Sequence, residues 1–144
     1  NDIYNEALFA LIQDYVKSNP GIDPKRIYVG GCSNGGYMSL KLILEHPDYF
    51  AAGYISALAY DAQYVTEQDI QKIKQVPMWF VHSKDDGVTN ITGFYGGDNY
   101  HYNGHWSWIY VHANQARTGL DGSPVLVGGR PVTIMEWMAA QAKK

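Results

Sequence analysis

Residues 27–38 constrain the fold of this chain more than any other stretch. A β-branched and aromatic run is followed by a serine flanked by glycines, and then by a helix-forming segment. Residues 31–35 read GCSNG, a G-x-S-x-G pattern in which a sharp strand-to-helix turn presents a serine hydroxyl above the carboxyl edge of a parallel sheet. We expect that Gly31 and Gly35, two residues before and after Ser33, leave no room for a Cβ because strand and helix backbones approach closely there.

The rest of the chain alternates between helical and extended patterns. We predict helices over residues 4–16, 35–45, 66–74, 106–117 and 133–142, strands over 26–30, 50–57 and 76–82, a loop over 89–104, and a small hairpin over 125–132. This alternation indicates an α/β fold with a largely parallel sheet and flanking helices. The length of 144 residues predicts a single domain with one core.

Local signals refine several of these elements. Asn1 or Asp2 would cap the first helix, whose predicted apolar face consists of Tyr4, Leu8, Leu11, Ile12 and Tyr15. The second helix is apolar around most of its circumference, which predicts burial. Thr66 and Asp69 have the spacing of a capping box. The continuous apolar run over residues 76–82 is typical of a strand buried on both faces.

Charge and composition exclude several classes of function. The net charge is −3 and no basic run occurs, which argues against nucleic acid or an acidic membrane surface as a partner. No apolar run approaches the ~20 residues of a membrane span, and the first residues lack the pattern of a signal peptide. The single cysteine, Cys32, excludes an internal disulfide framework and a cysteine-based zinc site. Sparse charges and 12 tyrosines favour an extracytoplasmic protein.

A nucleophilic serine needs a base within hydrogen-bond reach and an acid that orients the base. Asp85 and Asp86 both follow the predicted strand 76–82 and are the candidates for the acid. We favour Asp86, because in folds with this serine turn the acid lies about four residues after a strand-end His-(Gly/Ser) step, here His82-Ser83. The alternative is that both aspartates only solvate a loop.

Five histidines compete for the role of base. His46 precedes a proline at a helix end, His82 belongs to the acid strand and is expected to brace that loop, and His112 lies inside a predicted helix. His101 and His105 follow the acid and give the order Ser, Asp, His that α/β-hydrolases use. His105, at a loop-to-helix junction, is the better supported of the two, with His101 as its rival.

The segment around these histidines also permits other interpretations. Asp98, His101 and His105 form D-x-x-H-x-x-x-H, which superficially resembles a metal-ligand pattern, but the glycine between the histidines indicates a loop on which they would not converge. Four aromatic side chains would line a substrate pocket for an aromatic or sugar-like group, or would simply cover the core. They are Tyr95, Tyr100, Tyr102 and Trp106.

Three segments carry a resemblance to a known family. They are DPKRIYVGGCSNGGYM (residues 23–38), PMWFVHSKDD (77–86) and YNGHWSWIY (102–110). With Ser33, Asp86 and His105, the chain resembles bacterial α/β-hydrolases of the esterase group related to the prolyl-oligopeptidase and polyhydroxybutyrate-depolymerase-like enzymes. The resemblance implies an α/β-hydrolase fold and acyl transfer on a small-molecule ester, without metal or organic cofactor, with the N–H of Asn34 as one oxyanion donor.

The sequence departs from the family pattern in two places. Only a helix precedes the serine turn, whereas such enzymes have further strands there, one of which leads to the second oxyanion donor. The segment from Asp86 to His105 is also shorter than the helix-and-strand crossover of roughly 30 residues that the family inserts. These departures predict that residues 1–144 are the C-terminal catalytic part of a larger hydrolase. Two alternatives stay open: a peptidase of the prolyl-oligopeptidase type and a catalytically silent fragment.

Overall fold

The computed structural model describes residues 2–60, 64–83, 86–89, 111–119 and 121–144. A short 3-10 turn, Asp2–Tyr4, leads into helix α1, Asn5–Ser18. The elements that follow are strand β1 (Tyr28–Cys32), helix α2 (Asn34–Glu45), strand β2 (Ala52–Ser56), helix α3 (Glu67–Ile73), strand β3 (Met78–Val81), the hairpin strands β4 (Leu126–Val127) and β5 (Arg130–Pro131), and helix α4 (Ile134–Ala139).

In the described part of the chain, β1, β2 and β3 form a parallel sheet in that order. The register aligns Cys32 with Ser56 and Ser56 with Val81, so the carboxyl ends of the three strands lie side by side. Helices α2 and α3 connect the strands. The alternating helices and strands predicted from the sequence are therefore confirmed as an α/β arrangement.

Two apolar clusters cover the two faces of this sheet. Neighbouring residues of a strand point to opposite faces, and Ile55 and Tyr54 of β2 accordingly join different clusters. The larger cluster combines Ile55 with buried side chains of α1, α2 and α3, namely Phe9, Leu40, Leu42, Ile43, Leu44 and Ile73. The smaller one contains Val81, Val111, Ala116 and Ile134, and Trp79 and Tyr54 pack against it. Helix α4 therefore covers the face opposite α2.

The predicted burial of the second helix is confirmed, and the predicted face of α1 is right only in part, because Leu8 and Ile12 pack against the larger cluster. Tyr4, Leu11 and Tyr15 are 69%, 65% and 63% exposed, whereas Asn5 and Phe9 are buried. Asn5 turns inward because its Nδ2 donates to both carboxylate oxygens of Glu45, at 3.1 and 3.3 Å.

The predicted cap of α1 is also wrong. The helix begins after Tyr4, whose side chain makes no capping hydrogen bond, so neither Asn1 nor Asp2 occupies the cap position. Phe9, one turn after Asn5, stacks on the His46 ring with 3.4 Å between ring centroids. These long-range contacts add Asn5 and Phe9 to the packed face of α1, beside the predicted Leu8 and Ile12.

Further boundaries and burial differ from the predictions. Residues Met78 to Phe80 of β3 are only half-buried, so this strand packs against the apolar clusters on both faces without being fully buried. The helix predicted over residues 106–117 ends early, because Asn114 adopts a φ of 57° after helical backbone at Val111 and His112. The final helix ends at Ala139, three residues before the predicted end.

Several local predictions are confirmed. Thr66 forms a reciprocal capping box with Asp69, and Thr133 forms another with Glu136. β4 and β5 pair antiparallel around Gly128 and Gly129, whose φ angles of 57° and 76° suit a tight hairpin turn. No helix in the described ranges is both long and apolar enough to cross a membrane.

Candidate active site

Ser33 lies directly after β1 and is the N-cap residue of α2. Its φ of 58° and ψ of −118° place a non-glycine residue in a strained backbone region. Hydrogen bonds hold this conformation from both sides: the Ser33 N–H donates to the Ser56 carbonyl at 3.0 Å, and the Ser33 carbonyl accepts from the Tyr37 N–H at 2.9 Å. The turn expected of a nucleophilic serine is therefore formed at the carboxyl edge of the sheet.

The glycines around Ser33 explain how tight this turn is. A Cβ on Gly31 would lie 2.4 Å from the carbonyl carbon and oxygen of Gly35, which no side chain tolerates. At Gly35 itself a Cβ would meet no atom of the described residues within 4 Å, so these residues impose no steric requirement there, contrary to the expectation. The close approach falls one residue later, because a Cβ on Gly36 would lie 3.0 Å from the Ser56 carbonyl oxygen. The helix therefore packs on β2 through Gly36.

Cys32 precedes the serine, and the pKa of its thiol depends on burial, hydrogen bonds and charges at this edge of the sheet. Burial raises the pKa of the Cys32 thiol, a hydrogen bond with the Ser56 side chain lowers it, and the negative charge of Asp86 raises it further. Cys32 is aligned with Ser56, and Ser56 with Val81 at the end of β3, so the turn after β3 places Asp86 at the same end of the sheet as the serine turn.

Asp86 is held in a turn that follows β3. Its Oδ1 accepts from the backbone N–H groups of Val88 and Thr89, at 2.9 and 3.0 Å, and its Oδ2 accepts from the Thr89 hydroxyl at 2.8 Å. The Asp86 N–H donates to the Ser83 carbonyl at 3.3 Å. The Asp86 side chain is 0% exposed. These donors all stabilise the ionised form of a carboxylate and fix its orientation.

His82, at the exit of β3, packs directly against this turn. Its Nε2 lies 3.2 Å from the Thr89 carbonyl oxygen, 3.2 Å from the Thr89 hydroxyl oxygen and 3.4 Å from Asp86 Oδ2. The side chain is 1% exposed. The expectation that His82 braces the acid loop agrees with these contacts.

A row of three tyrosines begins at the serine turn, and the sequence analysis missed it. Tyr37 lies one helical turn after Ser33, its ring is 5.3 Å from that of Tyr60, and the Tyr60 ring is 6.2 Å from that of Tyr64. Tyr64 is 63% exposed. Tyr60 follows β2 by four residues, and the four-residue spacing of Tyr60 and Tyr64 in the segment after this strand was the available signal.

Several predicted site residues lie outside the described part of the chain. These are the candidate bases His101 and His105, the alternative acid Asp85, the metal-pattern residue Asp98, and the aromatic residues Tyr95, Tyr100, Tyr102 and Trp106. Their predicted roles stay predictions. The structure therefore brings together the serine turn and the Asp86 turn.

A group with suitable metal-ligand atoms lies away from this edge. Within the described residues, Glu6, Glu45 and His46 place one ligand atom each within 4.8 Å of one another. Glu45 and His46 are at the C-terminal end of α2, whereas Ser33 is at its N-terminal end. A helix of this length separates its ends by roughly 18 Å, so the group takes no part in the candidate site.

The fold and the serine turn define an α/β-hydrolase arrangement: a parallel sheet, helices on both faces, and a strained serine between a strand and a helix. A family model described as the prolyl oligopeptidase family matches residues 8–87, more than half of the chain. The chain belongs to the prolyl oligopeptidase family.

Two solved structures are similar to the chain. A thermostable esterase has a TM-score of 0.64 and 24% identity over 95% of this chain and 37% of its own length. S-formylglutathione hydrolase from Staphylococcus aureus has a TM-score of 0.43 and 21% identity over 60% of this chain and 43% of its own. The chain thus spans well under half the length of both. The likeness to the thermostable esterase supports the α/β-hydrolase fold.

Proposed function

We propose that this chain carries the chemistry of a serine hydrolase that cleaves carboxylic esters by acyl transfer, with Ser33 as the nucleophile. The observation that carries the proposal is the strained backbone of Ser33, held at the carboxyl edge of a parallel sheet at the start of α2, in a member of the prolyl oligopeptidase family. Strain of this kind is concentrated at functional sites, because elsewhere folding stability selects against it.

In the proposed first step, Ser33 Oγ attacks the ester carbonyl carbon while His105 accepts the hydroxyl proton. The carbonyl oxygen becomes an oxyanion, and the N–H of Asn34 at the start of α2 donates to it. The first amide groups of a helix have no partner within the helix and lie at the positive end of its dipole, which supports this assignment. His105 then returns the proton to the leaving alcohol, and the acyl group stays on Ser33.

In the second step, His105 removes a proton from water, which attacks the acyl ester of Ser33. The tetrahedral intermediate collapses to release the carboxylic acid, and the proton returns to Ser33 Oγ. Asp86 would accept a hydrogen bond from the His105 ring, fix its tautomer and stabilise the imidazolium. The three donors that already hold the Asp86 carboxylate support this role, because they fix it in one orientation.

The tyrosine row suggests where part of the substrate would bind. The Tyr37 ring, one helical turn after Ser33, contacts the Tyr60 ring, which in turn contacts the exposed Tyr64. We propose that this row contacts an apolar or aromatic acyl or alcohol group, together with Tyr95, Tyr100, Tyr102 and Trp106. Aromatic side chains offer a large apolar contact area with a polar tip.

The test is covalent labelling combined with hydrolysis. The chain is incubated with a fluorophosphonate probe and with p-nitrophenyl acyl esters of increasing length, and we expect both labelling and p-nitrophenol release. Ser33→Ala should abolish both. Ser39→Ala is the matched control, because Ser39 lies on the same helix, is buried, and donates its hydroxyl to the Gly35 carbonyl at 2.8 Å. Equal labelling of the Ser33→Ala variant would overturn the proposal.

The base is tested separately. His105→Ala should reduce hydrolysis by about 10³-fold or more, whereas His101→Ala should have little effect. The opposite result would transfer the role of base to His101 and leave the nucleophile assignment intact.

Family membership favours a peptidase as a second candidate function. Cleavage of an amide demands stronger protonation of the leaving group than cleavage of an ester. Short proline-containing peptides with a fluorogenic leaving amine distinguish the two, since an esterase would release p-nitrophenol but leave these peptides intact. A silent fragment would do neither, and circular dichroism during heating would then show whether it unfolds cooperatively.

A further inference from the structure

The position of the proton on His82 follows from the atoms around its Nε2. The Thr89 carbonyl has no proton and only accepts hydrogen bonds, and both oxygens of the Asp86 carboxylate already act as acceptors, from two backbone N–H groups and the Thr89 hydroxyl. The Thr89 hydroxyl has one proton, and it lies 2.8 Å from Asp86 Oδ2, to which it donates. Among the described residues, three oxygens lie within 3.4 Å of His82 Nε2 and all act as acceptors, which favours the tautomer with a proton on Nε2.

The other tautomer, in which Nε2 is unprotonated, would weaken the hydrogen bonds of the Asp86 turn. A hydroxyl rotates to the best acceptor, and an unprotonated His82 Nε2 at 3.2 Å would compete with Asp86 for the Thr89 proton. A lone pair on Nε2 would also face Asp86 Oδ2 in a region where neither side chain is more than 1% exposed, so water would not screen the repulsion. A proton on Nε2 removes both problems.

We propose that His82 is a positioning residue that acts through Thr89: its Nε2–H donates to Thr89, so that the Thr89 hydroxyl proton is directed to Asp86. These hydrogen bonds form a relay from His82 through Thr89 to Asp86. This inference rests on the proposed function, because the oriented carboxylate matters only if Asp86 holds the base. The effect is expected in the transition state, when the base becomes an imidazolium and needs a fixed carboxylate. Loss of the relay should therefore lower kcat and leave KM unchanged.

The kinetic test uses conservative variants of the intact chain. Thr89→Val keeps the shape of the side chain and removes the hydroxyl, and it should lower kcat for a p-nitrophenyl ester about 10- to 100-fold. Thr89→Ser restores the hydroxyl and should recover most of the loss. His82→Leu should resemble Thr89→Val, whereas His82→Gln, which retains an N–H₂ donor, should be less impaired.

Thr133→Val is the matched control. Thr133 and Thr89 are buried threonines with similar exposure, 6% and 7%, and each makes a hydrogen bond within a local turn or cap. Thr133→Val should reduce thermal stability without changing kcat. Equal kcat losses in Thr133→Val and Thr89→Val, or no recovery in Thr89→Ser, would show a general structural effect and overturn the proposal.

A measurement independent of activity is the ¹⁵N NMR spectrum of the His82 ring. Long-range correlations should show a protonated Nε2, and Thr89→Val should perturb the Nε2–H signal. An unprotonated Nε2 in the unmodified chain would overturn the relay. Absence of ester hydrolysis by the unmodified chain would count against the proposed function and, with it, against a catalytic purpose for the relay, while the NMR result would still decide whether the relay exists.

Discussion

The backbone N–H of Ser33 donates to the carbonyl oxygen of Ser56 at 3.0 Å, so the serine turn is hydrogen-bonded to the end of the neighbouring strand. The bond continues the β1–β2 ladder by one residue at a position where the chain has already left the strand. The strained conformation of Ser33 is therefore supported by the sheet, and several measurable consequences follow.

Replacing Ser33 by glycine should stabilise the fold relative to replacing it by alanine. Both variants lack the hydroxyl, but only glycine adopts a φ of 58° with a ψ of −118° without a Cβ penalty. We expect the free energy of unfolding of Ser33→Gly to exceed that of Ser33→Ala by about 1–2 kcal/mol. Urea denaturation of the two variants measures this difference, and equal midpoints would show that Ser33 is relaxed.

Alanine substitutions at Gly31 and Gly35 should have opposite effects. A Cβ on Gly31 would meet backbone atoms at 2.4 Å, so Gly31→Ala should cost about 3 kcal/mol or more, or prevent folding. A Cβ on Gly35 would meet nothing within 4 Å in the part of the chain that the structure describes, and alanine favours a helix, so Gly35→Ala should be neutral or up to about 0.5 kcal/mol more stable. Thermal unfolding followed by circular dichroism compares them directly. A large loss in Gly35→Ala would contradict the observed packing.

The reactivity of the Cys32 thiol should respond in opposite directions to two changes. Asp86→Asn removes the negative charge that raises the Cys32 pKa, so the thiol should ionise more readily and react faster with iodoacetamide at a pH below its pKa. Ser56→Ala removes a hydrogen bond that lowers the pKa, so the reaction should slow. Rates are measured by mass spectrometry of the native chain. An unchanged rate in Asp86→Asn would place the carboxylate away from the serine turn.

The capping box of α3 should make part of the stability pH-dependent. Hydrogen bonds from the Thr66 hydroxyl, at 2.7 Å, and from the Thr66 backbone N–H, at 3.0 Å, lower the pKa of Asp69. The folded chain therefore binds this proton less readily than the unfolded chain. The resulting stabilisation is complete above the ordinary aspartate pKa of about 3.9 and is lost as the pH falls through the lowered value.

Thr66→Val should raise the Asp69 pKa part of the way back, because the backbone donor remains. A ¹³C NMR titration of the Asp69 carboxyl measures the change. Asp121 is the internal control, since its lowered pKa is caused by Ser123 and should not move in this variant. A Thr66→Val variant with an unaltered Asp69 pKa would show that the hydroxyl contact is not made in solution.

Features that depend on neighbours in the sequence were predictable. The capping box at Thr66, the hairpin turn at Gly128 and the strained turn at Ser33 each arise from residue types at fixed spacing, and each is formed. The continuous apolar pattern of α2 likewise predicted its burial. In these cases the local backbone preference and the tertiary fold favour the same structure.

Features that depend on distant contacts were not predictable. The burial of Asn5 and Phe9 on α1 depends on contacts with Glu45 and His46, which lie far away in the sequence. The close approach at Gly36, rather than at Gly35, depends on where β2 places its last carbonyl group. A hydrophobic pattern specifies that a helix packs, whereas the full extent of its packed face follows from the partner it packs against.

The backbone conformation of Ser33 also bears on the evolutionary history of the chain. A serine at this position makes the free energy of unfolding lower than a glycine would, so mutation and selection for stability alone would favour glycine at residue 33. The chain therefore carries at a strained position a residue type that folding does not favour, as expected if the Ser33 hydroxyl serves the proposed chemistry.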